Sequence, residues 1–77
     1  MHKLFTDGGA RGNPGPSAIG GVLYKEHEEI DNFSEYIGEG TNNQAEYKAI
    51  IRGVELALEN GISELECFLD SELIVEQ

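Results

Sequence analysis

The sequence holds one cysteine, five basic residues and no long hydrophobic run in 77 residues. A lone Cys67 cannot close an intramolecular disulfide, and no zinc-ligand spacing accompanies it, so a disulfide-rich secreted scaffold is excluded. No stretch of about 18 apolar residues occurs, which excludes a membrane-spanning helix and a membrane partner. The first residues, Met1 to Asp7, lack the apolar core of a signal peptide, and the default expectation is a cytoplasmic protein. Five basic residues against 15 acidic ones give a net charge of −10. That balance argues against gripping phosphate backbones through clustered lysine and arginine. Hydrophobic residues, 39% of the chain, suffice for one modest core. A single domain over 1–77 follows, burying about 60–65% of its unfolded surface.

What is present reads as three strands, a helix and a fourth strand. Residues 2–7 form a short strand. Gly8 to Pro16 is rich in glycine and proline and reads as loop. A second strand covers Ala18–Tyr24, a hairpin tip falls at Glu26–Glu29, and a third strand covers Ile30–Ile37. Thr41 is an N-cap with Gln44 at the capping-box position, so a helix begins there. It runs through Asn60 and stops at Gly61. Glu64–Leu69 alternates as a strand should, and the intervening helix makes it a parallel crossover. A further helix is expected from Ser71, and Gln77 has no stop signal behind it, so the domain reads as cut short at its C-terminus.

Three acids stand out by position. With about 100° per helical residue, Glu46 falls near Ile50, Gly53 and Ala57, whereas Lys48, Arg52, Glu55 and Glu59 cluster opposite. An unpaired carboxylate on an apolar face is costly. A basic side chain, backbone donors or a metal ion would each compensate it. Asp7 and Asp70 end the first and fourth strands, and parallel neighbours would project both from one sheet edge, where open sheets place ligands. Singly, each aspartate is explained by strand termination or capping. Together with Glu46 they need a cation among them, and an all-oxygen set suits Mg²⁺ or Mn²⁺. The glycine-rich stretch lacks a P-loop ending, so its glycines serve a turn or a close backbone approach. Asn42 and Asn43 are either cap-region residues or donors to a substrate. His2 and His27 do not look like ligands. Cys67, the phenylalanines and the tyrosines are expected in packing roles.

The stretches Thr6-Asp7-Gly8-Gly9-Ala10-Arg11-Gly12-Asn13-Pro14-Gly15-Pro16, Thr41-Asn42-Asn43-Gln44-Ala45-Glu46-Tyr47 and Asp70-Ser71 resemble the type 1 ribonuclease H family. The likeness is closest to the archaeal and bacterial branch without a hybrid-binding domain, and it covers only the N-terminal portion of that domain. It implies an α/β fold with a mixed sheet in strand order 3-2-1-4-5. Three strands would be antiparallel, with a parallel fourth after the crossover helix. It implies a hydrolase, an endonuclease cutting the RNA strand of RNA/DNA hybrids with two Mg²⁺ or Mn²⁺ ions. By that resemblance Asp7, Glu46 and Asp70 are catalytic metal ligands. Gly8, Gly9, Ala10, Arg11, Asn13, Asn42, Asn43 and Ser71 would lie along the substrate; Glu72 departs from the family pattern. The family's fifth strand, later helices, fourth carboxylate and basic handle fall beyond Gln77. An exposed fourth strand would invite self-association or a missing C-terminal half. The alternatives are a noncatalytic module of the same fold that binds nucleic acid or protein, and a merely acidic globular domain.

Overall fold

Among the described residues, the alternation of apolar and polar residues is realised as a four-stranded sheet covered on one side by one helix. A computed structural model describes residues 1–69. Its elements are β1 (His2–Ala10), β2 (Gly15–Lys25), β3 (Glu28–Gly40), α1 (Asn42–Glu59) and β4 (Glu66–Leu69). The sheet order is β3-β2-β1-β4. β1 pairs antiparallel with β2 and parallel with β4, while β2 and β3 are antiparallel. This is the mixed sheet that the ribonuclease H resemblance implies, as far as the described residues extend. Asp70, Ser71 and the helix expected after them lie outside those residues. Among the described residues no helix is long and apolar enough to cross a membrane.

The first two strands are longer than expected. Gly8, Gly9 and Ala10 continue β1, pairing with Ile19, Ala18 and Ser17. The loop therefore shrinks to residues 11–14, closed by the Arg11 N–H donating to the Pro16 carbonyl at 2.8 Å. Gly15 opens β2 where an added Cβ would run into the Arg11 carbonyl. β3 likewise continues to Gly40 instead of stopping at Ile37. Its pairing steps from Ser17↔Gly38 to Ala18↔Tyr36, a bulge that Gly38 absorbs at φ 85°. β4 starts at Glu66, two residues later than the alternation suggested.

Both helix ends follow their local chemistry. Gln44 N–H donates to Thr41 Oγ1 at 3.1 Å, and Thr41 N–H donates to Gln44 Oε1 at 2.9 Å, completing the capping box. At the other end Gly61 adopts φ 74°. Gly61 N–H donates to the Leu58 carbonyl and Ile62 N–H to the Ala57 carbonyl, both at 3.0 Å, the two bonds of a Schellman motif. Ile62 and Ala57 are both buried, which adds the usual apolar contact.

The core lies between α1 and the sheet. Leu4, Ile19, Leu23 and Phe33 from the strands meet Ala45, Ala49, Leu56 and Ala57 from the helix. Leu4 and Leu23 are fully buried, each worth about 1.5–3 kcal/mol of transfer free energy. On the outer side, Arg52 donates to Glu35 at 2.9 Å and stands 3.8 Å from Glu59 and 4.0 Å from Glu55. Its guanidinium also lies 5.8 Å from the Phe33 ring centre, so one side chain joins α1 to β3.

Two packing expectations are corrected. Cys67 pairs in register with Leu4 and so faces the helix side, yet it is exposed. The core under α1 is drawn from β1, β2 and β3, and β4 contributes no buried residue to it. Tyr36 and Tyr47 are 73% and 71% exposed and pack in no core. Phe5 and Phe68 do pack, stacked 4.9 Å apart on the uncovered face, with Tyr24 edge-on to Phe5 at 5.7 Å.

Candidate active site

Small residues decide where the helix sits. Gly8 is buried, and a Cβ added there would stand 2.5 Å from the Ala45 carbonyl carbon and 2.9 Å from the Glu46 nitrogen. Farther along the helix, a Cβ on Gly53 would stand 2.6 Å from Leu4 Cδ2. α1 thus lies on β1 at a distance that glycine alone permits. The contact between Gly8 and Ala45 places their chain neighbours, Asp7 and Glu46, beside each other. With Thr6, Gly8 and Leu69 they line one small crevice; Asp7 does not end β1, as expected from the sequence, but lies three residues before its last residue, Ala10.

Glu46 is half-buried, at the rim of the packed helix face and not at its centre. The buried stripe runs through Ala45, Ala49, Gly53, Leu56 and Ala57, with its middle roughly 50° from Glu46. This softens the expectation of a carboxylate buried at the heart of the apolar face. Asp7 is exposed. Among the described residues neither acid forms an ion pair within 4.0 Å. Of the three ways of compensating Glu46, the basic side chain is therefore absent from the described residues. Both carboxylates keep lone pairs for a hard cation. No group of three His, Cys, Asp or Glu side chains comes together among the described residues. The third expected ligand, Asp70, follows Leu69 in the chain and, with Ser71, is outside them.

The two asparagines expected near a substrate take different parts. Asn42 Oδ1 accepts from Ala10 N–H at 2.8 Å, and Asn42 N–H donates to Asn13 Oδ1 at 3.3 Å. Asn42 and Asn13 therefore clamp the end of β1 and its turn onto the start of α1. Asn43 is exposed. Gly8 serves helix packing, Gly9 is an exposed strand residue, and Ala10 offers its N–H to Asn42. Arg11 is exposed at the turn and makes no ion pair among the described residues.

Tyr36, expected with the other tyrosines in a packing role, is exposed on the sheet instead. Tyr36, with Arg11, Gly9 and Ala18, lines a shallow groove on the sheet. Phe33 packs toward the helix, so strict alternation along β3 puts Tyr36 with Asn32 and Ser34 on the open face. That parity was the available signal. A wider depression lined by Phe5, Val22, Tyr24 and His27 lies at the opposite end of the sheet, away from the acids.

Comparison with known proteins gives this geometry its context. Residues 5–77 match the family described as reverse transcriptase-like. Ribonuclease HI of Halobacterium salinarum is 42% identical over all of this chain, which spans 39% of that protein. A bifunctional protein of Mycobacterium tuberculosis is 42% identical over 96% of the chain, which spans 21% of it. The chain thus spans well under half the length of these two curated relatives. Among solved structures, LC11-RNase H1 in complex with an RNA/DNA hybrid superposes with a TM-score of 0.86 at 48% identity, covering all of this chain and 59% of that one. RNase H1 from Halobacterium salinarum gives 0.87 at 40% identity, covering 95% of this chain and 56% of the other.

Proposed function

The chain belongs to the reverse transcriptase-like family, on its ribonuclease H side, and from that premise we propose that it carries part of a metal-dependent nuclease site cutting the RNA strand of RNA/DNA hybrids. The carrying observation is the Asp7–Glu46 crevice, built on the glycine contact between β1 and α1. A similar structure has been solved with an RNA/DNA hybrid bound, which supports the same substrate class here.

The donor chemistry fits the ions expected. Two carboxylates without a cationic partner among the described residues offer only oxygen ligands, as Mg²⁺ and Mn²⁺ prefer. Asp7 and Glu46 would hold them, with Asp70 as the third ligand by resemblance. The chemistry such ions would supply there is activation of water and stabilisation of the leaving 3′-oxygen in an in-line displacement. The protein's own residues position the strand. The Asn42–Ala10 and Asn42–Asn13 bonds hold the end of β1 against the helix start. Asn43 and Gly9 are exposed and would meet an RNA strand, and contact with 2′-hydroxyls is what distinguishes RNA from DNA.

The outer edge of β4 has no strand beside it among the described residues, and Phe68 and Leu69 are 38% and 43% exposed. This supports completion of the sheet by a further strand, from a longer chain or a second copy. Light scattering separates these, because a second copy gives a dimer mass.

The test is cleavage of a labelled RNA/DNA hybrid in Mg²⁺ and in Mn²⁺, beside duplex DNA and with Glu46→Gln and Asp70→Asn controls. Metal-dependent cutting of the RNA strand, lost in both controls, is the expected result. Binding of the hybrid without cutting would favour a noncatalytic module of the same fold. Cutting that survives Glu46→Gln would overturn the assignment of the site.

A further inference from the structure

Thr6 is the polar side chain of β1 that α1 encloses. It is 2% exposed and lines the same crevice as Asp7 and Glu46. Across the sheet it stands between Gly21 of β2 and Leu69 of β4, and along β1 its same-side neighbours are Leu4 and Gly8. None of these four brings a side-chain acceptor. The Thr6 hydroxyl forms no hydrogen bond with another described residue. No buried side-chain oxygen among the described residues is both sealed off and without a partner, so the place left to this hydroxyl is the crevice wall. A hydroxyl taken out of water needs an acceptor there.

The other branch of the side chain is fixed by packing. A Cβ on Gly53 would stand 3.1 Å from Thr6 Cγ2, so the bare glycine leaves the methyl its place under α1. Fixing the methyl of a β-branched residue fixes its hydroxyl as well, because one torsion turns both. Among the side chains of the crevice, Thr6, Asp7, Glu46 and Leu69, threonine alone can donate, and the two carboxylates accept. Strand alternation sends Asp7 to the opposite side of β1 from Thr6. Glu46 belongs to the helix that covers Thr6, and so is the acceptor on the hydroxyl's own side.

We propose that Thr6 is a positioning residue of the nuclease site, its hydroxyl donating to the Glu46 carboxylate when a divalent cation is held there. The inference rests on the function proposed above. Binding an ion costs a glutamate its side-chain freedom, and a donor on a strand paired along both edges fixes which oxygen turns to the ion. A hydrogen bond made only in the loaded state adds its whole strength to ion binding. Thr6 touches neither ion nor substrate and acts through Glu46.

The experiment follows Mn²⁺ binding to the whole chain by the electron paramagnetic resonance signal of the free ion, for the parent, Thr6→Val, Thr6→Ser and Glu46→Gln. Thr6→Val keeps the methyl beneath Gly53 and loses the donor. It is expected to weaken Mn²⁺ binding about 10- to 100-fold, the effect of removing a hydrogen-bond partner from a metal ligand. Thr6→Ser keeps the donor and is expected to bind Mn²⁺ like the parent. Thermal melting without metal runs the other way. Thr6→Ser, short of one buried methyl, should melt about 3–6 °C below the parent, and Thr6→Val no lower than the parent. Carbon-13 resonances of the Mg²⁺-loaded chain identify the acceptor, with the Glu46 carboxyl expected to move in Thr6→Val and to return in Thr6→Ser.

Thr6→Val binding Mn²⁺ as tightly as the parent would overturn the positioning role and leave the nuclease reading intact. So would a Thr6→Val chain that melts below the parent without metal, since its hydroxyl would then be bonded within the fold. A resonance that moves at Asp70 and not at Glu46 would overturn Glu46 as the acceptor. A parent that binds no Mn²⁺, or binds it no better than Glu46→Gln does, would overturn both the site and this inference.

Discussion

Replacing Gly8 by alanine tests the contact that brings the two carboxylates together. The new methyl would meet the Ala45 carbonyl carbon at 2.5 Å and the Glu46 nitrogen at 2.9 Å, against an ordinary contact of 3.4–4 Å. The obstacle is helix backbone, so no side chain can rotate away, and the first turns of α1 must retreat by roughly 1 Å. Overpacking of this kind costs about 1–3 kcal/mol, and a rigid obstacle puts the expected value in the upper part, about 2–3 kcal/mol. For a domain of this size each kcal/mol moves the midpoint by about 4–8 °C, so Tm should fall by about 8–24 °C. Gly9→Ala is the internal control, because its methyl would meet only Asn42 Oδ1, at 3.7 Å. Thermal unfolding followed by circular dichroism reads both variants. A Gly8→Ala midpoint within about 2 °C of the parent, or equal to that of Gly9→Ala, would refute the argument that glycine sets the distance between helix and strand.

Other consequences are checked with the same melts. Thr41→Ala removes the Gln44 N–H acceptor of the capping box and should cost about 1 kcal/mol. Gly61→Ala keeps open space around the new methyl but imposes a side chain at φ 74°, for an expected loss of about 1–2 kcal/mol. Acid sensitivity has an identifiable contributor. The Asn60 amide donates to Asp31 at 3.0 Å and the Asn32 N–H at 2.8 Å, and together they hold its carboxyl below the ordinary value. A depressed folded pKa contributes stability that is full above the unfolded value, about 3.9, and is lost as pH falls through the folded one. Asp31→Asn should therefore melt with a shallower dependence on pH below about 4 than the parent, and equal slopes would remove Asp31 from the account.

The parts of the molecule readable in advance were those decided locally. Thr41 and Gln44 cap each other across three residues, and Gly61 ends the helix by its own backbone, so neither depends on distant packing. The glycine-rich stretch misled because its composition looks like loop. Gly8 is small for the sake of Ala45, 37 positions away, and nothing in its own neighbours says so. Alternation put Cys67 in a packing role, and its register with Leu4 does turn it to the helix side, but it is exposed, because how far α1 reaches over the sheet is a tertiary fact. For Glu46 the helical wheel found the right face and misjudged its depth, because the stripe's centre is set by which small residues touch β1. Tyr36 was obscured by the habit of reading aromatics as core.

The parallel pairing of β1 with β4 also sets the order in which the molecule can be assembled. Lys3 to Thr6 meet Glu66 to Leu69, so the two partners are separated by almost the whole chain, whereas β1, β2 and β3 are joined by short turns. Closing so long a loop is the slow, entropically costly contact in a domain of this topology. During synthesis the antiparallel strands and α1 are available long before β4 emerges. Leu69 is one wall of the Asp7–Glu46 crevice, so an N-terminal piece stopping short of it would hold both carboxylates and still lack the finished crevice. Completion of the crevice is thereby tied to the pairing of β1 with β4, whose partners lie farthest apart in sequence among the strand pairs of the described residues.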